Sequence, residues 1–157
     1  MYNAKIQNKN GQILVLTQKE QIYQLISIEG LNPPNGTINT TVIVGMDGAL
    51  YNSSKLETRE IVIILKINGE TEQNRLALYS YFRTKEWCRF YYSNESRSVY
   101  IDGYVTNVEC SLFDQEEIAQ ITIICPAPYF SDITEIIDDI SSTVSLFTFP
   151  FFISKLI

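Results

Sequence analysis

Nine residues near the middle of the chain, Arg-Glu-Ile-Val-Ile-Ile-Leu-Lys-Ile from Arg59 to Ile67, decide most of what it can become. Six of the nine are aliphatic and five of those are β-branched, and such stiff side chains fit a pleated surface better than a helix. The run is too short to cross a bilayer, which takes about twenty apolar residues. It therefore demands burial as a strand, on both faces or against a second chain, with a plain sandwich core as the simpler of the two.

The flanking segments point the same way. Residues 12–16 and 22–28 are β-prone, the second alternating Ile22, Gln24, Ile26 and Ile28 against Tyr23, Leu25 and Ser27. Gly30, Pro33, Pro34 and Gly36 then force a corner before a β-branched stretch over 37–45. Residues 46–58 lack periodicity and carry Asp47-Gly48 and Asn52-Ser53-Ser54-Lys55, which predicts a long exposed loop or hairpin arm. Asn68-Gly69 ends the aliphatic strand, and Thr71 opens a helix over 72–84, with Glu70 and Glu72 at its positive end. Its stripe of Leu78, Tyr79 and Phe82, widened by Leu76 and Tyr81, predicts packing along a sheet. Residues 87–92 and 98–109 form an aromatic hairpin around the turn 93–96, with a bulge expected at Asp102-Gly103. Residues 118–125 make the closing strand, because Pro126 and Pro128 cannot continue a ladder. The expectation is a mainly β (α+β) domain over 1–130: a β-sandwich with one flanking α-helix and a long inter-strand arm. Residues 131–157 read as an acidic linker (Asp132, Glu135, Asp138, Asp139) followed by an apolar segment that either starts another domain or docks on a partner.

The chain has no histidine, which removes Ser-His-Asp, Cys-His and HExxH chemistry together. Cys88, Cys110 and Cys125 form no CxxC pair, so buried free thiols are expected and neither a metal nor a cofactor is. The acidic neighbours Glu116/Glu117 and Asp138/Asp139 read as solvated faces, Ser53-Ser54-Lys55 lies in the arm, and no glycine spacing fits a phosphate loop. Twelve basic against eighteen acidic residues give a net charge of −6, which speaks against a nucleic-acid grip and assigns Phe90, Tyr91, Tyr92 and Tyr100 to core and interface. The first fifteen residues are too polar for a secretory signal, and the apolar stretch 144–157 is too short to insert in a membrane.

The order of these segments resembles the N-terminal domain of the phage distal tail protein, the Dit or siphovirus-tail family. The resemblance is carried by Gly30-Leu31-Asn32-Pro33-Pro34, by the stretch from Val44-Gly45-Met46-Asp47-Gly48 through Tyr51 to Arg59-Glu60-Ile61, by Arg75 to Phe82, and by Ile101-Asp102-Gly103-Tyr104-Val105. A closing signature of Cys125, Pro126, Pro128, Tyr129 and Phe130 completes it. The segment Leu146-Phe147-Thr148-Phe149-Pro150-Phe151 looks like the start of the family's second sandwich domain, otherwise absent here.

The resemblance implies a tube-protein-like sandwich, without enzyme activity, assembled as a homo-hexameric ring at the tail tip. It would join the tail tube protein to the baseplate hub and receptor-binding parts and let DNA pass. The place would be the virion tail tip of a phage or tail-like bacteriocin, after assembly in the bacterial host cytoplasm. Within such a ring the arm is expected to touch the neighbouring subunit, with Tyr51 and Leu56 as apolar anchors and Asp47, Lys55, Glu57 and Arg59 as polar partners, Met46 and Gly48 lying at its start. The other class of function is a small carbohydrate- or cell-surface-binding β-module, motivated by Trp87 and the tyrosines, whose faces stack sugars.

Overall fold

The computed structural model describes residues 1–17 and 22–133. Ten strands and one helix follow in order: β1 (Asn3–Asn8), β2 (Ile13–Val15), β3 (Tyr23–Glu29), β4 (Gly36–Thr41), β5 (Leu50–Leu56), β6 (Arg59–Ile67), α1 (Thr71–Tyr81), β7 (Trp87–Ser93), β8 (Ser98–Cys110), β9 (Ile118–Cys125) and β10 (Ser131–Asp132). One antiparallel sheet runs β2-β1-β7-β8-β9-β6-β3, with β10 paired to β8, while β4 and β5 form a separate two-stranded sheet. Ile6 of β1 and Ile61 to Ile67 of β6 lie at distant places in the large sheet yet belong to one buried cluster. The sheet therefore folds over itself into a β-sandwich, with α1 at its flank.

β6 supplies the centre. Arg59, Ile61, Ile63, Leu65 and Ile67 are buried, whereas Val62, Ile64 and Lys66 on the opposite face are only half-buried. The aliphatic run is thus sealed completely on one face. Against it pack Phe90, Ile101, Val105, Ile121 and Ile123. Each such side chain contributes about 1.5–3 kcal/mol by leaving water.

The helix ends three residues before the predicted Thr84, because Phe82 departs from helical geometry and Lys85 takes a positive φ of 72°. Leu78 and Phe82 enter the core, Tyr81 is half-buried with its hydroxyl near the carbonyls of Ile6 (2.8 Å) and Gln12 (2.6 Å), and Leu76 faces solvent. The packing stripe is therefore narrower than its sequence pattern.

Three local features depart from the sequence expectation, and a fourth decides between its loop and hairpin-arm readings of residues 46–58 in favour of the hairpin. β1 forms within the polar N-terminal stretch because Ala4, Ile6 and Asn8 all point inward; Asn8, though polar, has its amide satisfied by Gln12 and by the Tyr81 carbonyl. In β3 Tyr23 and Leu25 face the core and Ile26 faces out, and a bulge at Ile26 then shifts the phase so that Ile28 joins them on the core side. Bulged pairing also falls at Thr106, against β9, where Asp102-Gly103 was expected; β7 and β8 pair without a shift. Finally, the aperiodic arm contains a strand of its own, β5.

Gly103 has a different task. A Cβ there would lie 2.6 Å from Cγ2 of Ile123 and 2.8 Å from the Ile124 carbonyl, so glycine is what lets β8 and β9 approach. Register pairs Asn8 with Cys88, Cys88 with Gly103, and Arg59 with Cys125. The Cys125 sulfur would lie 3.0 Å from a Gly103 Cβ, so these residues form one inward row. The row places two buried thiols at its centre and the two buried polar side chains, Asn8 and Arg59, at its ends.

Candidate assembly surface

The arm is the segment of the described residues that the core does not explain. β4 and β5 pair antiparallel from Gly36 opposite Leu56 to Thr41 opposite Leu50, with a shift between Asn39 and Thr40. Every residue of the two strands is exposed except the half-buried Thr37. With little burial, the ribbon is held by its ladder and by side-chain bonds across it. Asn39 donates to Ser53 (3.0 Å), Asn52 donates to Thr41 (2.6 Å), and Thr37 donates to the Glu57 carboxylate (2.5 Å). Tyr51 and Ser54 share a hydroxyl contact of 2.9 Å. At the tip, residues 42–49 turn through Gly45 and Gly48, both at positive φ with open space around them.

This ribbon is also strongly apolar at its surface. Ile38, Val42, Val44, Met46, Leu50, Tyr51 and Leu56 are all exposed, Val44 fully and Tyr51 at 64%. Isolated two-stranded hairpins are marginal in water, and clustered exposed apolar groups of this kind mark contact surfaces. Of the arm residues named from sequence, Met46, Asp47 and Gly48 lie at the tip, Tyr51, Lys55 and Leu56 on β5, and Glu57 at the root.

Arg59 lies elsewhere. It is 6% exposed, and its guanidinium is engaged inside the chain: Nη1 donates to the Gly30 carbonyl (2.6 Å) and to that of Asn32, and Nε donates to the Pro128 carbonyl (2.9 Å). Its Cζ sits 4.6 Å from the centre of the Phe130 ring. Burial lowers its pKa from the ordinary value. The side chain expected to reach a neighbour thus points inward and fastens the arm's root. Beside it, a polar cleft of about 440 Å³ runs between the Gly30–Asn35 leg and residues 57–60.

The closing signature divides in the same way. Cys125 is buried at the end of β9, Pro128 and Phe130 meet Arg59, and Pro126 and Tyr129 are exposed. The sheet then gains β10, paired to Val99 and Tyr100 just past the expected boundary. The acidic pair Asp138/Asp139, Glu135 and the apolar segment Leu146 to Phe151 lie outside the described residues.

The aromatic face proposed for sugars is built on β7 and β8. Arg89 pairs bidentately with Asp102 (2.6 and 2.9 Å) and lies over Trp87 at 5.4 Å and Tyr100 at 4.4 Å, while Lys5 lies 5.0 Å from Tyr91. These rings already carry the chain's own cations. All three cysteines are free, Cys88 and Cys125 buried and Cys110 half-buried; burial pushes Cys88 up to about 12 and Cys125 up to about 11. Among the described residues, no three His, Cys, Asp or Glu side chains group so as to hold a metal, and no helix is long and apolar enough to cross a membrane.

A folded-over antiparallel sheet, one flanking helix and an exposed two-stranded ribbon define a β-sandwich domain with a long arm. Comparison with known proteins specifies the class: a model described as the phage tail protein RIFT-related domain matches residues 9–124, and the chain belongs to that family. No curated protein sequence matches it. Among solved structures it is similar to the Dit protein (gp 19.1) of phage SPP1, described as a paradigm of the hub adsorption apparatus in phages infecting Gram-positive bacteria. The TM-score is 0.63 at 15% identity, over 82% of this chain and 52% of that one. It is also similar to the phage P2 baseplate in its activated conformation, with calcium (TM-score 0.57, 16% identity, 78% of this chain and 43% of that one) and with strontium (0.59, 15%, 85% and 44%). The chain thus spans about half the length of these structures or less.

Proposed function

We propose that the chain is a structural, non-enzymatic component of a phage tail tip, forming a ring between tail tube and baseplate hub through which DNA passes. The observation that carries this reading is the arm: a β-ribbon with an almost wholly exposed, apolar surface in a chain of a phage tail family. Tyr51 and Leu56 are its anchors on the neighbouring subunit, with Met46, Asp47, Lys55 and Glu57 around them and Gly48 shaping the tip. Six like copies close the ring when the heterologous contact turns each subunit a sixth of a revolution from the last, the condition that gives a ring and not a filament. The tail tube protein, the hub and a receptor-binding protein are its partners in the virion, and the host cytoplasm is where it assembles. An acidic balance of −6 suits a channel that must not retain DNA.

Light scattering coupled to size exclusion over a range of concentrations tests it. The expected result is a hexamer, or a mass rising toward one, which falls to a single chain in the Tyr51→Ala/Leu56→Ala variant while its unfolding midpoint stays unchanged. A single-chain mass at every concentration overturns self-assembly of this chain. The carbohydrate-binding reading is disfavoured by the cations that lie over Trp87, Tyr91 and Tyr100.

A further inference from the structure

The arm has two legs, and both pass one side chain. The chain enters through Gly30 and Asn32, whose carbonyls accept from Arg59, and returns through Glu57 and Thr58 directly into Arg59 itself. A third segment converges on the same group: Pro128, where the chain leaves β9, accepts from Nε, and the Phe130 ring lies against the guanidinium. Two residues further on, Ser131 and Asp132 pair with β8. Three stretches far apart in sequence are therefore tied by one planar fork.

Other features of the site make the fork hard to replace. Arg59 is among the few polar side chains buried in the described residues, held by three carbonyls and the face of one ring. These carbonyls lie in turns, outside the strand ladders, so without the fork the three segments lose the one side chain that holds them together. A lysine keeps the charge but cannot hold donors in three directions in one plane. Gly30, at φ +90°, has no room for a side chain: a Cβ would fall 2.0 Å from the Glu60 carbonyl oxygen, which fixes the entering leg against β6.

We propose that Arg59 is a positioning joint: it couples the orientation of the β4–β5 arm to the Phe130–β10 segment that follows β9, so that loosening one loosens the other. The coupling is a property of the single chain. Only its consequence, that docking of the arm on a neighbour is felt at that segment, rests on the assembly proposed above. Such linkage is reciprocal, so order imposed on the segment also restrains the arm.

Amide hydrogen exchange on the full chain of 157 residues tests it. The reporters are the Glu57 amide, bonded to the Asn35 carbonyl at the arm's root (2.9 Å), and the amides of β10. Phe130→Leu, a lesion outside the arm, should speed exchange at Glu57 about fivefold or more, with the amides of β6 from Ile61 to Leu65 unchanged. Arg59→Lys should speed exchange at both reporters, and combining it with Phe130→Leu should add little at Glu57 because the link is already cut. Thr37→Val, which loosens the root with the Arg59 link intact, should speed exchange at β10 as well, and should no longer do so in the Arg59→Lys background.

An unchanged Glu57 amide in Phe130→Leu, full additivity in the double variant, or a uniform rise through β6 each overturns the proposal. Light scattering on the same samples keeps the two ideas apart. Coupled exchange in a strict monomer sinks the ring and leaves the joint, while uncoupled exchange in a hexamer does the reverse.

Discussion

β5 and β6 are separated by two residues and built on opposite principles. β6 hides one entire face and half-buries the other, and its stability comes from the core. β5 hides nothing and is held to its partner strand by the backbone ladder and by amide–hydroxyl bonds across it. Both are β-strands to the backbone; only the surroundings differ. A strand can therefore be specified locally by its cross-strand pairs while burying almost nothing within its own chain.

The contrast can be broken first at its buried end. Ile63→Ala in β6 should cost about 2–5 kcal/mol, from lost transfer energy and the cavity left behind, measured by denaturant unfolding. Gly103→Ala, which forces β8 away from Ile123 and the Ile124 carbonyl, should cost about 1–3 kcal/mol by the same measurement. A smaller effect follows from the thiol row. Cys88 is held neutral with its pKa raised to about 12, so the folded state keeps a proton that the unfolded state releases above about pH 9. Its contribution is complete below that pH and is lost toward pH 12, at up to about 1.4 kcal/mol per pH unit. Cys88→Ala should flatten the alkaline limb of a stability-against-pH curve. At the exposed end, Ile38→Ala should change the unfolding free energy of a single chain by less than about 0.5 kcal/mol. A large loss there, seen in a monomer, would erase the distinction between the two regions.

What could be read from sequence follows the same division. The aliphatic run of β6, the aromatic hairpin and the two prolines after Cys125 announce themselves because each rests on side chains whose preference and environment agree. β1 was hidden because Asn3, Lys5 and Gln7 on its outer face dominate the composition, while its inward set ends in a buried Asn satisfied by a turn that only the fold creates. The phase of β3 and the bulge at Thr106 depend on register with neighbouring strands, which no local pattern contains. Arg59 was the most instructive departure. Next to an exposed arm, a charged residue reads as surface, yet the carbonyls that hold it come from segments about thirty and seventy positions away, a distance that residue type alone does not encode.

The open turn at Gly45 and Gly48 carries a consequence for how such a domain changes over generations. Nothing lies within 4 Å of either position, whereas Gly30 and Gly103 sit against neighbouring strands or side chains. Residues can be added or exchanged at the tip without reaching the core, because the side-chain bonds along the ribbon and the clasp at its root absorb none of the change. The reach of the arm is thereby free to vary while the sandwich beneath it stays the same, so that one scaffold can carry arms of different length and shape by altering a few residues at a single point.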